Sequence, residues 1–283
     1  MIPSFVYKWL KETSGGGYLR SAEQPNRRIQ DGHKLYWLCW DCEQRFNNWE
    51  TQFANQVFHP INRGETAQAS YGSWFLLFCV SVSWRVLNFH IFHIEKQHVD
   101  HFPEKFQRSM KRAQEAWREF LLNQRPHPGQ YEQHFLPLDA IDSYTISGIP
   151  PNINRYILRT VDIDAVHGGQ TASTYSKLER FIILGFVELP RTRQWIGTQV
   201  HVKHGAIKPG EYVMPVQFMD YLIGKAKTAA AAQNKISQRQ NAKIEAAFRK
   251  NIDRVANSET FRALSHDVRL FGRDAFRKED KEL

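Results

Sequence analysis

Apolar residues at Ile2, Phe5, Val6, Trp9 and Leu10 recur at three- and four-residue steps. That spacing predicts a short helix starting near Pro3 or Ser4 and ending at Thr13 to Gly17. Gly15-Gly16-Gly17 reads as a hinge and not as a phosphate loop, because no strand precedes it and no GK[ST] follows. Residues 18 to 34 have few apolar positions and form a basic loop. Leu35-Tyr36-Trp37-Leu38 is a strand-like run. From Glu43 to about Val57, Phe46, Trp49, Phe53 and Val57 fall on one side of a predicted helix, with Pro60 and Gly64 in the exit loop. Tyr71 to Ile94 is the most hydrophobic stretch. A bilayer span takes about 20 apolar residues. The unbroken run here is shorter, contains Ser81 and Ser83 and meets Arg85, so a buried core helix is expected. Arg85 in that setting calls for a carboxylate or phosphate partner. Pro103 to Asn123 is an amphipathic helix with Phe106, Met110, Ala113, Trp117, Phe120 and Leu121 as its buried stripe.

Gln124 to Gln130 is rich in turn residues, and it divides the chain into a mainly helical region, 1–124, and a second region, 131–283. The pattern changes there. Residues 156–166 alternate like a strand, 180–189 read as a buried strand, 198–204 as another, and 211–215 as a short return. Together they predict a small, mostly antiparallel sheet. After Pro215 an Ala-, Gln- and Lys-rich run to about Ala256 predicts a long C-terminal helix, and Arg262 to Leu283 a mixed-charge tail that frays. The fold class is therefore α+β. No internal repeat is visible.

Composition narrows the class. With 283 residues, 42% hydrophobic and 24% charged, the chain can bury a sizeable core and has the balance of a soluble globular protein. An aromatic share of 13% argues against extensive disorder. The net charge of +9 points to anionic partners, nucleic acid before membrane. The positive residues of the C-terminal run (Lys225, Lys227, Lys235, Arg239, Lys243, Arg249, Lys250 and Arg254) suit a nucleic-acid backbone, and equally a partner-binding or oligomerisation helix. Three cysteines, two of them in a CxxC, do not form a secreted disulfide framework. Ile2 to Leu10 is interrupted by Pro3, Tyr7 and Lys8, unlike a signal peptide, so a cytoplasmic location without membrane insertion is expected.

Candidate chemistry centres on Leu38-Cys39-Trp40-Asp41-Cys42-Glu43. Two thiolates two residues apart can grip a metal ion from a tight turn, but a closed zinc site takes four ligands. His33 and His59 are the nearest substitutes. A redox CxxC lacks its usual βαβ surroundings here. Glu43 and Glu50, two turns apart, are either carboxylates for catalysis or surface charges. His90, His93, His98 and His101 form either a metal cluster or a polar helix end, and Asp162 and Asp164 share a strand face that could take a cation. Cys79 reads as a small buried hydrophobe. Arg20, Arg27, Arg28 and Lys34, with Arg45 in the following helix, are the candidate nucleic-acid contacts.

Ile2-Pro3, Leu38-Cys39-Trp40-Asp41-Cys42 and Ser81-Val82-Ser83-Trp84-Arg85 together resemble the zinc-bearing HNH, or His-Me finger, nuclease modules of bacteria, over about the first ninety residues. Ile2-Pro3 matches the end of that module's His-Ile-Ile-Pro segment, and Cys39–Cys42 its second CxxC. The resemblance implies a partial treble-clef or ββα-like module, structural zinc on four thiolates, and, in an active member, a divalent cation with a histidine general base for phosphodiester cleavage. It places the histidine and the first CxxC before Met1. The chain as written is thus expected to be an inactive nuclease relative that binds nucleic acid; the alternative is a non-enzymatic nucleic-acid- or protein-binding module with a structural CxxC turn.

Overall fold

A computed structural model describes residues 1–32, 35–97, 102–189, 192–208 and 212–276. In chain order the elements are α1 (Ser4–Glu12), β1 (Leu19–Arg20), β2 (Arg28–Ile29), α2 (Trp40–Phe53), a π-helical turn (Ala54–Phe58), α3 (His59–Asn62), β3 (Ala69–Gly72), α4 (Trp74–Gln97) and α5 (Glu104–Leu121). There follow β4 (Gln133–Pro137), α6 (Ile153–Arg159), β5 (Val161–Gly168), β6 (Thr171–Leu178), β7 (Phe181–Glu188), β8 (His204–Ile207), α7 (Val216–Asn234), α8 (Gln238–Lys250), α9 (Ile252–Ala256) and α10 (Glu259–Phe271). The class is α+β, with small antiparallel sheets and a long C-terminal helix, α7, of 19 residues.

Two compact units share these elements, each drawing on three parts of the chain: Met1–Ile2, Lys34–Pro137 and Val161–Met214 in the first, and Pro3–His33, Leu138–Thr160 and Pro215–Leu283 in the second. The cut expected at 125–130 does not separate them. That stretch is a tight turn inside the first unit, with Asn123 and Gly129 at positive φ and the Trp117 indole N–H donating to the Tyr131 carbonyl at 3.2 Å.

In the first unit α4 lies against the four-stranded sheet β4-β7-β6-β5, with α2 and α5 beside it. Phe75, Phe78, Cys79, Val80, Val82 and Val86 of α4 are wholly buried. By length and composition α4 could cross a bilayer, yet more than half of its most apolar window is buried inside the protein. Phe53 sits at the centre of the core, stacked on Phe78 at 4.2 Å and edge-on to Phe135 and Phe181 at 5.9 and 5.8 Å. This cluster joins α2, α4, β4 and β7 through aromatic geometry as well as area. Helix and sheet approach closely because residue 185 of β7 is glycine: a Cβ there would stand 2.6 Å from the Ser83 Cβ and 2.8 Å from Thr174 Oγ1.

The second unit is built from α1, the β1–β2 hairpin, α6 and α7–α10. Its organising group is Asp267 of α10, fully buried, which accepts from the Asn154 and Arg155 amides and from Arg155 Nε at 2.8 Å. A carboxylate at these amides satisfies the open N–H groups at the start of α6 and complements its dipole.

Several expected elements change. Leu35–Leu38 is irregular, with no ladder partner among the described residues, and α2 begins three residues before Glu43. Residues 156–159 are helical, because Ile153, Tyr156 and Ile157 bury one face of α6 and Asp267 caps it; the strand starts at Val161. Residues 198–200 run beside β4, but the ladder of that region is β8 with β3. Residues 212–215 are not a strand, and Glu211 lies outside the described residues. The predicted run to Ala256 breaks at Lys235–Ser237, where Ser237 leaves helical geometry to cap α8. The expected fraying tail contains α10, held by Asp267; residues 277–283 lie outside the described residues. The expected Gly15–Gly17 hinge is a packed turn, with Gly17 at φ +69° and Gly15 closed over by Val255.

Gly185→Ala forces α4 off the sheet and is expected to cost about 1–3 kcal/mol. Urea denaturation checks this: an unchanged midpoint would show that the helix–sheet spacing is not tight, and adding Ser83→Gly should recover part of the loss.

Candidate functional site

Cys39 is the N-cap of α2, exposed and extended at φ −74° and ψ 166°, and Cys42 is half-buried in the first helical turn. The Cys39 thiol is pulled below its ordinary value by the Cys42 backbone N–H and then by the Cys42 thiol. Burial, followed by the contact with Cys39, pushes the Cys42 thiol up. Among the described residues no group of three or more His, Cys, Asp or Glu is placed to hold a metal ion. The donor set present, two sulfurs, does not fit a closed tetrahedral zinc site. His33, Lys34, His98 and His101 lie outside the described residues. Cys79 is buried in α4 with its thiol pushed well up by desolvation.

In the first unit, Trp84 and Arg85 of the Ser81–Arg85 segment pack against α2, the helix that Cys39 caps. Arg85 of α4 forms an ion pair with Glu50 of α2 at 2.7 Å, and both side chains are largely buried. Its Nε also donates to the Ser81 carbonyl at 3.0 Å. Trp84 packs edge-on against Phe46 of α2, and Met1 lies beside the Arg85–Glu50 pair. Glu50 is thus the carboxylate that Arg85 requires, while Glu43 is exposed in the first turn of α2.

The predicted basic contacts are divided between the units. Arg45, in the first, donates to the Leu121 carbonyl at 3.0 Å and so satisfies the C-terminal end of α5. In the second, Arg20 and Arg28 are paired across the β1–β2 hairpin and stand over the Tyr18 ring at 5.2 and 4.1 Å. Arg20 is half-buried and fixes the hairpin loop through the Pro25 carbonyl at 2.6 Å, while Arg27 and Arg28 are exposed. Asn26 of that loop then clasps the break between α7 and α8. Its Nδ2 donates to the Lys235 carbonyl at 3.2 Å and its Oδ1 accepts from the Ser237 amide at 2.8 Å. The clasp brings Arg27 and Arg28 to the start of α8, whose Arg239, Lys243 and Lys250 recur on one face. All three are exposed, and α8 buries no residue. Spacing did not announce this clasp, since its partners are 209 and 211 residues apart.

A further polar group in the first unit was not legible either. His134 of β4 places Nδ1 2.7 Å from Thr198 Oγ1 and Nε2 3.2 Å from Glu132 Oε2. Thr198 Oγ1 is also 3.0 Å from the Trp195 carbonyl. A neutral ring donates through Nε2–H to Glu132 and accepts the Thr198 hydroxyl proton. A charged ring donates through both nitrogens and turns that hydroxyl to Trp195. His134 and Thr198 are 1% and 2% exposed, so the arrangement is a core network that no substrate reaches. Burial lowers the His134 pKa below 6.5, against the opposing pull of Glu132. Its stabilising contribution is therefore complete above 6.5 and lost as pH falls through the lowered folded value. Chemical denaturation between about pH 7 and pH 5 should show a larger loss for the wild type than for His134→Gln. No family model matches the chain, and no curated protein or solved structure is found to be similar to it.

Proposed function

We propose that the protein binds the phosphodiester backbone of nucleic acid through its second unit. The observation that carries this reading is where the charge lies. The second unit holds 21 Lys and Arg against 14 Asp and Glu, a surplus of seven; the first holds 17 against 15, a surplus of two. The Asn26 clasp supports it by setting Arg27 and Arg28 at the head of the α8 row. Arg239 to Lys250 extends over about 16 Å of helix, enough to meet several phosphates of one strand. The row needs no burial to act, because phosphate contacts depend on exposed cations that displace condensed counterions. Kinship with HNH modules is proposed only as far as the matched segments. No cleavage step is assigned.

Fluorescence anisotropy with short duplexes and single strands of unrelated sequence tests the proposal. Affinity should fall steeply with salt and vary little with sequence. The triple variant Arg239→Ala, Lys243→Ala, Lys250→Ala should flatten the log–log salt slope by about 2–3. An equal charge change on α5 of the first unit (Lys105→Ala, Arg108→Ala, Lys111→Ala) should leave the slope near wild type. Equal effects of the two triples would reject a localised surface, and the absence of salt-dependent binding would reject the function.

A further inference from the structure

Two thiols one helical turn apart can do chemistry without the two further ligands that a closed zinc site demands. Cys39 stands exposed at the head of α2, Cys42 is half-buried one turn on, and both are free thiols. Cys39 at the N-cap and Cys42 three residues on are neighbours across one helical turn. No third His, Cys, Asp or Glu among the described residues joins them as a metal-holding group. Exposed apolar side chains flank the pair, Leu35, Tyr36 and Trp40 being 38%, 101% and 73% exposed, beside the acidic Asp41 and Glu43, and Trp37 anchors the run on Phe89 and Phe92 of α4. A helix that begins at an accessible thiol, with a second thiol behind it, presents one sulfur for attack and one for resolution.

We propose that Cys39 and Cys42 form a reversible dithiol–disulfide site that exchanges with an external disulfide, Cys39 attacking first. The Cys39 sulfur, giving up its proton, bonds to one sulfur of the external disulfide. The external S–S bond breaks, and the departing thiolate takes up that proton. The Cys42 sulfur then attacks Cys39 in the mixed disulfide. The second external thiolate leaves and takes up the proton from Cys42. Two electrons pass from the protein pair to the external disulfide, which becomes two thiols.

The test uses the full chain, reduced, freed of reductant and incubated near neutral pH with glutathione disulfide. Acid quenching, alkylation and mass spectrometry then report on the peptide containing residues 39 and 42. The expected product is that peptide lighter by two hydrogens and free of glutathione, with Cys79 alkylated only after denaturation. Cys42→Ser should retain glutathione on Cys39, and Cys39→Ser should react at least about tenfold more slowly. Serine is a favourable N-cap, so Cys39→Ser preserves the start of α2, and circular dichroism checks both variants. A wild type that stops at the mixed disulfide or does not react overturns the proposal. So does Cys39→Ser reacting at the wild-type rate, or stoichiometric zinc that shields both thiols until a chelator removes it.

Discussion

Helix α4 leaves the rest of the first unit little freedom. Its apolar residues lie on most of its circumference, so covering it takes the sheet on one side and α2 and α5 on others. Three of the exceptions to its apolar character, Ser81, Ser83 and Arg85, are each matched by a particular partner. Ser83 hydrogen-bonds Gln133 at 2.7 Å, Ser81 turns back to the Phe78 carbonyl at 2.8 Å, and Arg85 meets Glu50. Gly185 gives the sheet the clearance to close on Ser83. The Phe53 cluster then locks α2 to the same surface, which fixes where the Cys39–Cys42 turn is held.

The second unit follows a different economy. Its internal order depends on a few polar contacts, buried at Asp267 by the start of α6 and exposed at Asn26 by the α7–α8 break. Beyond the break, α8 buries nothing and carries exposed cations. A helix of this kind gains little from packing and is available to a partner. Most of the chain's positive surplus lies in this unit, and the aromatic core in the other.

Local periodicity was readable where one face of an element is buried against a neighbour. The stripes of α1, α2 and α5 and the apolar run of β7 fall where hydrophobic spacing puts them. The need of Arg85 for an acidic partner was readable from its surroundings, though the identity of Glu50 was not. Strand-like alternation misled at Tyr156 to Arg159, because an aspartate 112 residues away decides that helix start. β6 escapes the hydrophobic pattern, because Thr174, Ser176 and Lys177 are buried polar residues that mask its interior position. At the candidate sites the CxxC was plain in the sequence. The division of Arg45 from Arg27 and Arg28 between two units was not, since sequence proximity says nothing of which unit a segment joins.

Hydrogen exchange of the full chain with and without a saturating short duplex tests the proposed nucleic-acid surface of the second unit most directly. The Arg20–Arg28 hairpin and residues 235–250 should gain protection, with α8 changing most because it buries no residue in the free protein. Protection confined to the first unit, or none at saturation, would contradict the account.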